Sequence, residues 1–395
     1  MATTVEVGVV RGFVLDDPVR GVLDNTVHTL AGVTFVDVSD RVSSVSIQRG
    51  KNRDLDTFSA ATLSVSLNNE DRFFDPVEGT DIDTIPRVPV RVSVDGDAQF
   101  TGSANTWQFD YDIAGASKVS IAAADNLQRL ANQVVEPGVT PPVELSGARV
   151  ERVLDMFTVD WPDDARDIDA GSVSLCDVPF DGENALEYLQ LVERTEQGAL
   201  FIGKNGDLVF RSRDAAAARS DDLVLFSDNG AGVPYSDLTL DFGSEQFFNR
   251  VVVSAPGGTA VANNFLSQGL FGISELELDV LCSSLATAQG IADFLSFKFG
   301  EPKLRFENIT VNLRGVSPTD RANVLGLELG DVVQVQFTPN GQGAEIDRFA
   351  QIIGIDHSVG VDRHEVSFSF DSLEFSPFVL DDVVFGKLDL SQLGF

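Results

Sequence analysis

Residues 59–68 of the chain read SAATLSVSLN, and this stretch decides the class of the fold. From Ala61 to Leu67 every second residue is apolar, and the residues between them are serine or threonine. A period of two gives a β-strand one buried face and one wet face, which is typical of antiparallel sheets. Further strands are predicted where the alternation recurs or where β-branched and aromatic residues accumulate. They lie at 88–94, 247–253, 304–313, 333–337 and 366–370.

A few short helices are predicted between the strands. The clearest covers Asp181–Glu196, because its apolar residues recur at helical spacing and Gly198 can end it. An Asn205–Gly206 pair then separates two apolar runs, which predicts a β-hairpin over 199–211. The other predicted helices are Asp125–Asn132 with Asp125 as N-cap, Ser146–Phe157 and Ser284–Phe297.

This order of elements predicts a mainly β (α+β) protein with a small α+β domain inserted between two β-rich blocks. A chain of 395 residues suits two or three domains better than one core. The predicted divisions are an N-terminal arm at 1–34, a first β-block at 35–140, an insert at 141–235, a second β-block at 236–375 and a C-terminal arm at 376–395.

The composition is strongly acidic. Against 61 acidic residues stand 28 basic ones, so the net charge is −33, while 43% of the residues are hydrophobic. Enough apolar material is present for folded cores, and the sign of the charge argues against binding to phosphate backbones or anionic membranes. Asp outnumbers Glu by 42 to 19. A GC-rich genome, salt adaptation and a surface that repels nucleic acid all fit this bias.

No targeting segment or redox site is expected. The first ten residues lack a basic start and a long apolar run, so we expect no signal peptide. No stretch approaches the roughly 20 apolar residues of a membrane-spanning helix. The two cysteines, Cys176 and Cys282, match no metal or redox spacing. We expect a protein that is made in a cytoplasm and stays soluble.

No cofactor, metal ion or catalytic group is predicted. His357 and His364 flank a predicted hairpin loop and have acidic neighbours, but a metal site needs three or four converging ligands, so an exposed polar hairpin is favoured. The aspartates between 160 and 169 lack the spacing of a calcium loop, which favours a solvated linker. No nucleophile elbow or phosphate loop is found. The sequence therefore argues against an enzyme.

Two segments at opposite ends of the chain are nearly identical. Residues 13–24 read FVLDDPVRGVLD and residues 378–389 read FVLDDVVFGKLD, with nine identities in twelve positions. Apolar patches separated by an Asp pair and a glycine suit an extended peptide that docks on a sheet edge or groove. Peripheral strands of one pseudo-symmetric fold are the alternative. The candidate docking residues are Phe13, Val14, Leu15, Asp16, Asp17, Val19, Gly21 and Leu23, and Phe378, Val379, Leu380, Asp381, Asp382, Val384, Gly386 and Leu388.

The stretch from Val42 to Pro76, VSSVSIQRGKNRDLDTFSAATLSVSLNNEDRFFDP, resembles the N-terminal region of minor tail proteins of siphophages that infect actinobacteria. Ala61 stands where that family usually has a glycine. We expect Arg72 to pair with neighbouring carboxylates and to fix a turn. The matching residues are Ser46, Ile47, Arg49 and Gly50, then Phe58, Ala60 and Thr62, then Asn69, Asp71, Arg72, Phe74, Asp75 and Pro76.

The resemblance implies a baseplate hub in the virion tail tip, assembled in the host cytoplasm. Each subunit would carry two tube-like antiparallel β-barrels, and three subunits would form a ring that continues the tail tube. The implied partners are a distal tail protein, a tape measure protein and a central fibre. DNA would be passing cargo in a channel lined by carboxylates, and no direct membrane binding is expected. A receptor-binding or cell-wall-binding minor tail protein is the alternative, and a tail-associated hydrolase ranks third.

Overall fold

The computed structural model describes residues 1–10, 16, 18, 21–22, 33–53, 55–77, 82, 84–113, 115–213, 223–243, 246–372, 376–377 and 391–392. Strands account for 42% of the protein and helices for 19%, which confirms a mainly β fold. None of the helices in the described part of the chain is both long and apolar enough to cross a membrane.

A helix lies within or overlaps each predicted helical range, and the described residues contain two further helices that were not predicted. The N-cap of the first helix is Asn126 and not the predicted Asp125, although Asp125 Oδ1 does accept a hydrogen bond of 2.9 Å from the amide of Leu127, the first helical residue. The unpredicted helices are α4 and α6. The helices are α1 Leu127–Leu130, α2 Ser146–Leu154, α3 Ala185–Glu196, α4 Phe265–Phe271, α5 Leu285–Phe299 and α6 Pro318–Gly326.

The strands follow the predicted alternation closely, and the hairpin at Asn205–Gly206 is formed by β11 and β12. The strands are β1 Thr3–Val10, β2 Val33–Asp37, β3 Val42–Gly50, β4 Ser59–Asn68, β5 Pro89–Val94, β6 Asp97–Tyr111, β7 Ser117–Ala124, β8 Glu144–Leu145, β9 Arg166–Ile168, β10 Ser174–Leu175, β11 Ala199–Ile202, β12 Leu208–Arg211, β13 Val224–Ser227, β14 Asp237–Asp241, β15 Arg250–Ala255, β16 Gly258–Asn263, β17 Glu275–Asp279, β18 Arg305–Asn312, β19 Val332–Phe337, β20 Ile346–Val359, β21 His364–Ser372, β22 Ser376–Pro377 and β23 Ser391–Gln392.

Thirteen strands belong to one sheet, in the order β14-β18-β21-β20-β3-β4-β7-β6-β5-β1-β2, with β19 on β20 and β13 on β19. The long strand β20 joins the two β-blocks, because it pairs with β21 and β19 from the second block and with β3 from the first. The strands described form an open path, so the two tube-like barrels stay a prediction. Strand β1, within the range predicted as the N-terminal arm, pairs with β5 and β2 in this sheet.

Three hydrophobic cores lie behind the sheets. One fills the first β-block and a second fills the space around β18–β21. The third contains side chains from α2, α3 and β11–β12 together with side chains from β15, β16 and α5. The segment from β15 to α5 therefore shares a core with the insert, although it falls within the sequence range of the second β-block. The predicted domain borders stay a prediction.

Candidate functional site

Strand alternation places serine and threonine on one face of the first β-block. On β4, Leu63 and Val65 are buried while Thr62 and Ser64 are exposed. Directly opposed residues of an antiparallel pair share a face, and Ser46 of β3 lies opposite Ser64. The apolar side of these strands faces the core, so the hydroxyl side is left for water or a partner.

The same polar chemistry continues across the junction of the two β-blocks. Two rows of opposed residues, which we call the polar face, contain nine neutral polar side chains, one alanine and three carboxylates, and none is fully buried. At roughly 4.8 Å between strands, the longer row spans about 29 Å. The rows are Asn312, Glu365, Ser358, Ser46, Ser64, Ala122 and Thr106, and Asp237, Thr310, Ser367, Asp356, Gln48 and Thr62.

The electrostatics of the polar face are weakly acidic. None of its thirteen residues is a cation. Partial burial raises the pKa of Asp356, near the centre, to about 6, so this carboxylate is charged at neutral pH. Glu365 forms an ion pair with the exposed Arg363. Thr310 and Ser367 lie 2.8 Å apart and hydrogen-bond through their hydroxyls across β18 and β21. The thirteen residues themselves offer phosphate no cationic partner, and the neighbouring Arg363 is paired with Glu365.

Beneath this face, a buried arginine fixes the two β-blocks and the insert to one another. Arg49 of β3 is 5% exposed and donates to the carbonyl of Ile202 at 3.0 Å and to Glu328 Oε1 at 2.6 Å. The second oxygen of Glu328 accepts from the amide of Lys204 at 3.0 Å. One carboxylate and one guanidinium thus connect β3, the end of β11 and the loop before β19. These contacts fix the relative positions of the strands that carry the polar face.

Gly50 and Lys204 complete this junction. Gly50 has φ +96°, and a Cβ placed there would lie 2.2 Å from the carbonyl oxygen of Ile353, so only glycine fits without rearrangement. Lys204, in the hairpin turn, donates through Nζ to the carbonyls of Leu325 at 2.8 Å and Gly326 at 3.0 Å, at the C-terminal end of α6. Burial lowers the pKa of the Lys204 ammonium.

The loop after β4 contains the last motif of the resemblance. Arg72 adopts φ +62° and donates through Nε to Asp75 Oδ2 at 2.8 Å. Asn69 is fully buried, and its Oδ1 accepts from the amide of Phe74 at 2.9 Å. Phe74 is itself fully buried, and Pro76 follows in the same turn. The contacts are internal to the fold, and a family role for these residues stays a prediction.

Asp71 is bound by an arginine from outside the loop. It accepts two bonds from Arg41, at 2.7 and 2.8 Å, and Arg41 also stacks 4.0 Å from the ring centre of Phe73. The arginine between β2 and β3 therefore fastens the loop to the edge of the sheet. The loop lies at one end of the first β-block rather than on the polar face.

The predicted docking segments lie almost entirely outside the described residues. Of the candidate residues only Asp16 and Gly21 are described, and Asp16 is exposed. All the candidates from Phe378 to Leu388 fall outside the described ranges. Docking by either segment therefore stays a prediction.

The prediction of an exposed polar hairpin around the histidines was wrong in one respect. The turn is formed between β20 and β21, but His357 and His364 are 3% and 0% exposed, with His357 Nδ1 3.2 Å from His364 Nε2. Both rings lie on the core side of their strands. Burial lowers their pKa values to about 3 and about 4. The part of the chain described here contains no cluster of three potential metal ligands.

Arginines of β9 and β12 bind carboxylates around the aspartate-rich stretch at 160–169. Arg166 contacts Glu151 and Asp155 at 2.7 Å each, and Asp163 at 3.2 Å. Strand β9 pairs in parallel with β12. Glu151 and Asp155 lie outside the stretch, in α2 and just after it; within the stretch, Asp163 is 93% exposed in its side chain and Asp167 pairs with Arg211. The aspartates are therefore largely in contact with solvent, as predicted, but Arg166–Ile168 form a strand rather than part of a linker.

Sequence reasoning missed two residues of the junction, Glu328 and Lys204. Neither belongs to a local motif, because their partners are more than 100 positions away. It also missed α4 and its exposed apolar side chains. A signal was present there, since residues 261–274 contain no charged residue in a chain that is 23% charged.

No family model and no curated protein matches the chain. Solved structures do. The 43 kDa tail protein of prophage MuSo2 from Shewanella oneidensis is 14% identical with a TM-score of 0.60, over 94% of this chain and 98% of that one. The tail protein from Neisseria meningitidis MC58 is also 14% identical with a TM-score of 0.60, over 94% and 96%.

A secretion-system protein shares the fold more distantly. The E. coli c3393 protein, a type VI secretion component described as similar to T4 tail proteins gp27 and gp5, is 9% identical with a TM-score of 0.50, over 84% of this chain and 73% of that one. At these identities the likeness shows the fold. The chain thus has the fold of phage tail proteins and of related secretion-system proteins.

Proposed function

We propose that the protein is a structural subunit of the tail tip of a long-tailed phage, a baseplate hub whose polar face lines a channel for DNA. The observation that carries this proposal is the continuity of that face across both β-blocks, from β18 to β6. Two tube-forming blocks in one subunit would need one continuous surface facing the channel, and the polar face runs across both blocks without a break. The shared fold with tail proteins supports the same role.

In this role three copies form a ring, and their six β-blocks, each closed as a tube-like barrel, continue the tail tube. The ring belongs to the virion, is assembled in the host cytoplasm and meets a distal tail protein, a tape measure protein and a central fibre. The two repeated segments serve as docking arms for neighbours. The protein acts as a scaffold and not as an enzyme, and the host is an actinobacterium, as the sequence resemblance implies.

The chemistry of the polar face suits DNA as cargo. Binding to DNA needs cations that neutralise phosphates and release counterions. The polar face presents hydroxyls, amides and the carboxylates of Asp237, Asp356 and Glu365, and no Lys or Arg. Phosphates that pass such a wall meet short neutral side chains and a weak repulsion, so the duplex would move without being held.

The test adds cations to the channel wall. Ser46, Ser64 and Ser358 are consecutive exposed positions of one row, and each is changed to lysine in the phage genome. We expect particles in normal number with normal tails, because exposed serine-to-lysine changes leave the core intact. DNA release should slow severalfold, measured by dye uptake of ejected DNA after receptor addition, since three lysines per subunit attract phosphate.

Matched variants separate the channel from general effects of charge. Lysines at the exposed positions Thr259, Ser283 and Ala286, outside the polar face, should leave release unchanged. Aspartates at the three serines should change it little. Release at the natural rate in the three-lysine variant, with the substituted protein present in the particle, would refute the channel. Loss of adsorption with normal release would favour a receptor-binding protein instead.

A further inference from the structure

A cleft of about 390 Å³ opens on the polar face where the two β-blocks meet. Its floor lacks side chains, because Gly50 of β3 and Gly354 of β20 lie directly opposite each other. The register of β3 against β4 shifts just before Gly50, and that of β20 against β21 shifts just before Gly354. Register shifts of this kind are typical of β-bulges, which bend a sheet and are frequent beside functional sites. The strands themselves therefore build the cleft, and residues of the 51–57 loop contribute to its wall.

Asp356 supplies this cleft with a carboxylate that has no counter-charge. Its side chain is partly buried, and burial alone raises its pKa to about 6. No hydrogen bond or ion pair from another described residue reaches this carboxylate. Its neighbours across β3 and β21 are the uncharged Gln48 and Ser367. Withdrawing a charge from water without a partner is unfavourable, so the site favours a cation from outside the chain.

The two basic residues beside the cleft direct their charges elsewhere. Arg49 donates to Glu328 on the core side of β3, and Lys51 holds its ammonium 5.0 Å from the centre of the Phe58 ring. Asp56, another residue of the wall, adds a second carboxylate. Two carboxylates are too few for a metal site, and the described residues contain no group of three potential metal ligands. The charges of the cleft therefore suit an organic cation.

We propose that the cleft binds the guanidinium of an arginine carried by a partner chain that lies along the polar face. A planar guanidinium donates two parallel hydrogen bonds to one carboxylate, here that of Asp356. Its other donors have the side-chain oxygens of Gln48, Thr62 and Ser369 as acceptors in the same cleft. The inference rests on the proposed channel in one respect, since a chain held there occupies the path of DNA and must leave before DNA passes.

Saturation-transfer difference NMR of the purified full-length chain tests the site. The probe is the peptide acetyl-Gly-Arg-Gly-amide, and its control is the same peptide with citrulline, which keeps the shape of arginine without its charge. The arginine peptide should give a signal severalfold above that of the citrulline peptide. Asp356→Asn should remove most of this difference. Asp237→Asn should leave it unchanged, although it deletes the same charge from an exposed position of the same row.

Ser369→Arg gives a second, independent readout, because it places a guanidinium inside the cleft from β21. This variant should lose the arginine signal while it keeps the melting temperature of the natural chain. Equal signals from the two peptides, or an arginine signal unchanged in Asp356→Asn, would overturn the proposal. The test uses no particles, so the two proposals can fail separately. Binding together with normal DNA release from the three-lysine variant would retain the cleft and reject the channel, whereas slowed release without binding would reject the cleft alone.

Discussion

The arginine at the junction gives the sharpest stability prediction. Arg49→Met keeps most of the aliphatic volume but removes the guanidinium that donates to Glu328 Oε1 and to the carbonyl of Ile202. Breaking a buried ion pair costs about 3–5 kcal/mol. Glu328 is 20% exposed in its side chain and keeps the amides of Lys204 and Leu329 as donors, so we expect the lower end, about 3 kcal/mol.

A surface ion pair of the same type supplies the control. Arg41 and Asp71 form two hydrogen bonds of 2.7 and 2.8 Å, but their side chains are 28% and 57% exposed. Arg41→Met should therefore cost about 1 kcal/mol or less. Both variants remove an arginine from a carboxylate at similar bond lengths, so a larger cost for Arg49→Met is expected from burial even though Arg41 makes two bonds to its carboxylate and stacks on Phe73.

Urea denaturation measures both variants. Trp107 of the first β-block and Trp161 of the insert report fluorescence changes on two sides of the junction. Arg49→Met, Glu328→Gln and the double variant complete a cycle, in which we expect a coupling energy of about 1.5 kcal/mol or more. A cost for Arg49→Met no greater than for Arg41→Met, or additive costs in the cycle, would refute the assignment of this ion pair as the clamp of the junction.

Three further changes test other parts of the fold. Gly50→Ala should lower the melting temperature much more than Gly96→Ala, because both have φ near +95° but only Gly50 faces a carbonyl at 2.2 Å. Burial lowers the pKa values of His357 and His364 to about 3 and about 4, below the ordinary 6.5, so both are neutral in the folded protein at neutral pH. The free energy of unfolding should therefore fall as pH drops from 6.5 toward 4. His364→Gln should reduce that loss, measured by urea titrations at pH 7 and pH 5. Burial raises the pKa of Glu193 to about 8, so the folded protein favours its neutral form and the free energy of unfolding should fall as pH rises from 4.5 to 8. The stability difference between Glu193→Gln and the natural chain should therefore shift in favour of the variant between pH 5 and pH 8.

The sequence located the polar residues of single strands correctly but not their neighbours across the sheet. Alternation in 61–67 assigns Thr62, Ser64 and Ser66 to the wet side, and these side chains do face away from the core. Periodicity, however, says nothing about which strand lies beside which. The pairing of β20 with β3 joins residues about 300 positions apart, and no local pattern encodes that contact.

Two errors have identifiable physical causes. His364 lies two residues before Val366, so the alternation itself assigns it to the apolar side; its polar neighbours and the turn led to the wrong prediction. Helix α4 was missed because its seven residues include a glycine and because its polar residues pack inward. Helical periodicity identifies a face but not the direction in which that face points.

The positions of the cations bear on the proposed DNA channel, because the polar face has few carboxylates although the protein as a whole is strongly acidic. Arg49, Arg149 and Arg166 are largely withdrawn from the surface and pair with Glu328, Glu144 and Glu151 respectively. These three cations are withdrawn from the polar face, and the exposed Arg363 beside it is already paired with Glu365. Phosphate is held by cations, so their absence governs passage more than the density of acid does. This is why lysines on the row of serines should slow DNA release strongly while aspartates at the same positions should have little effect.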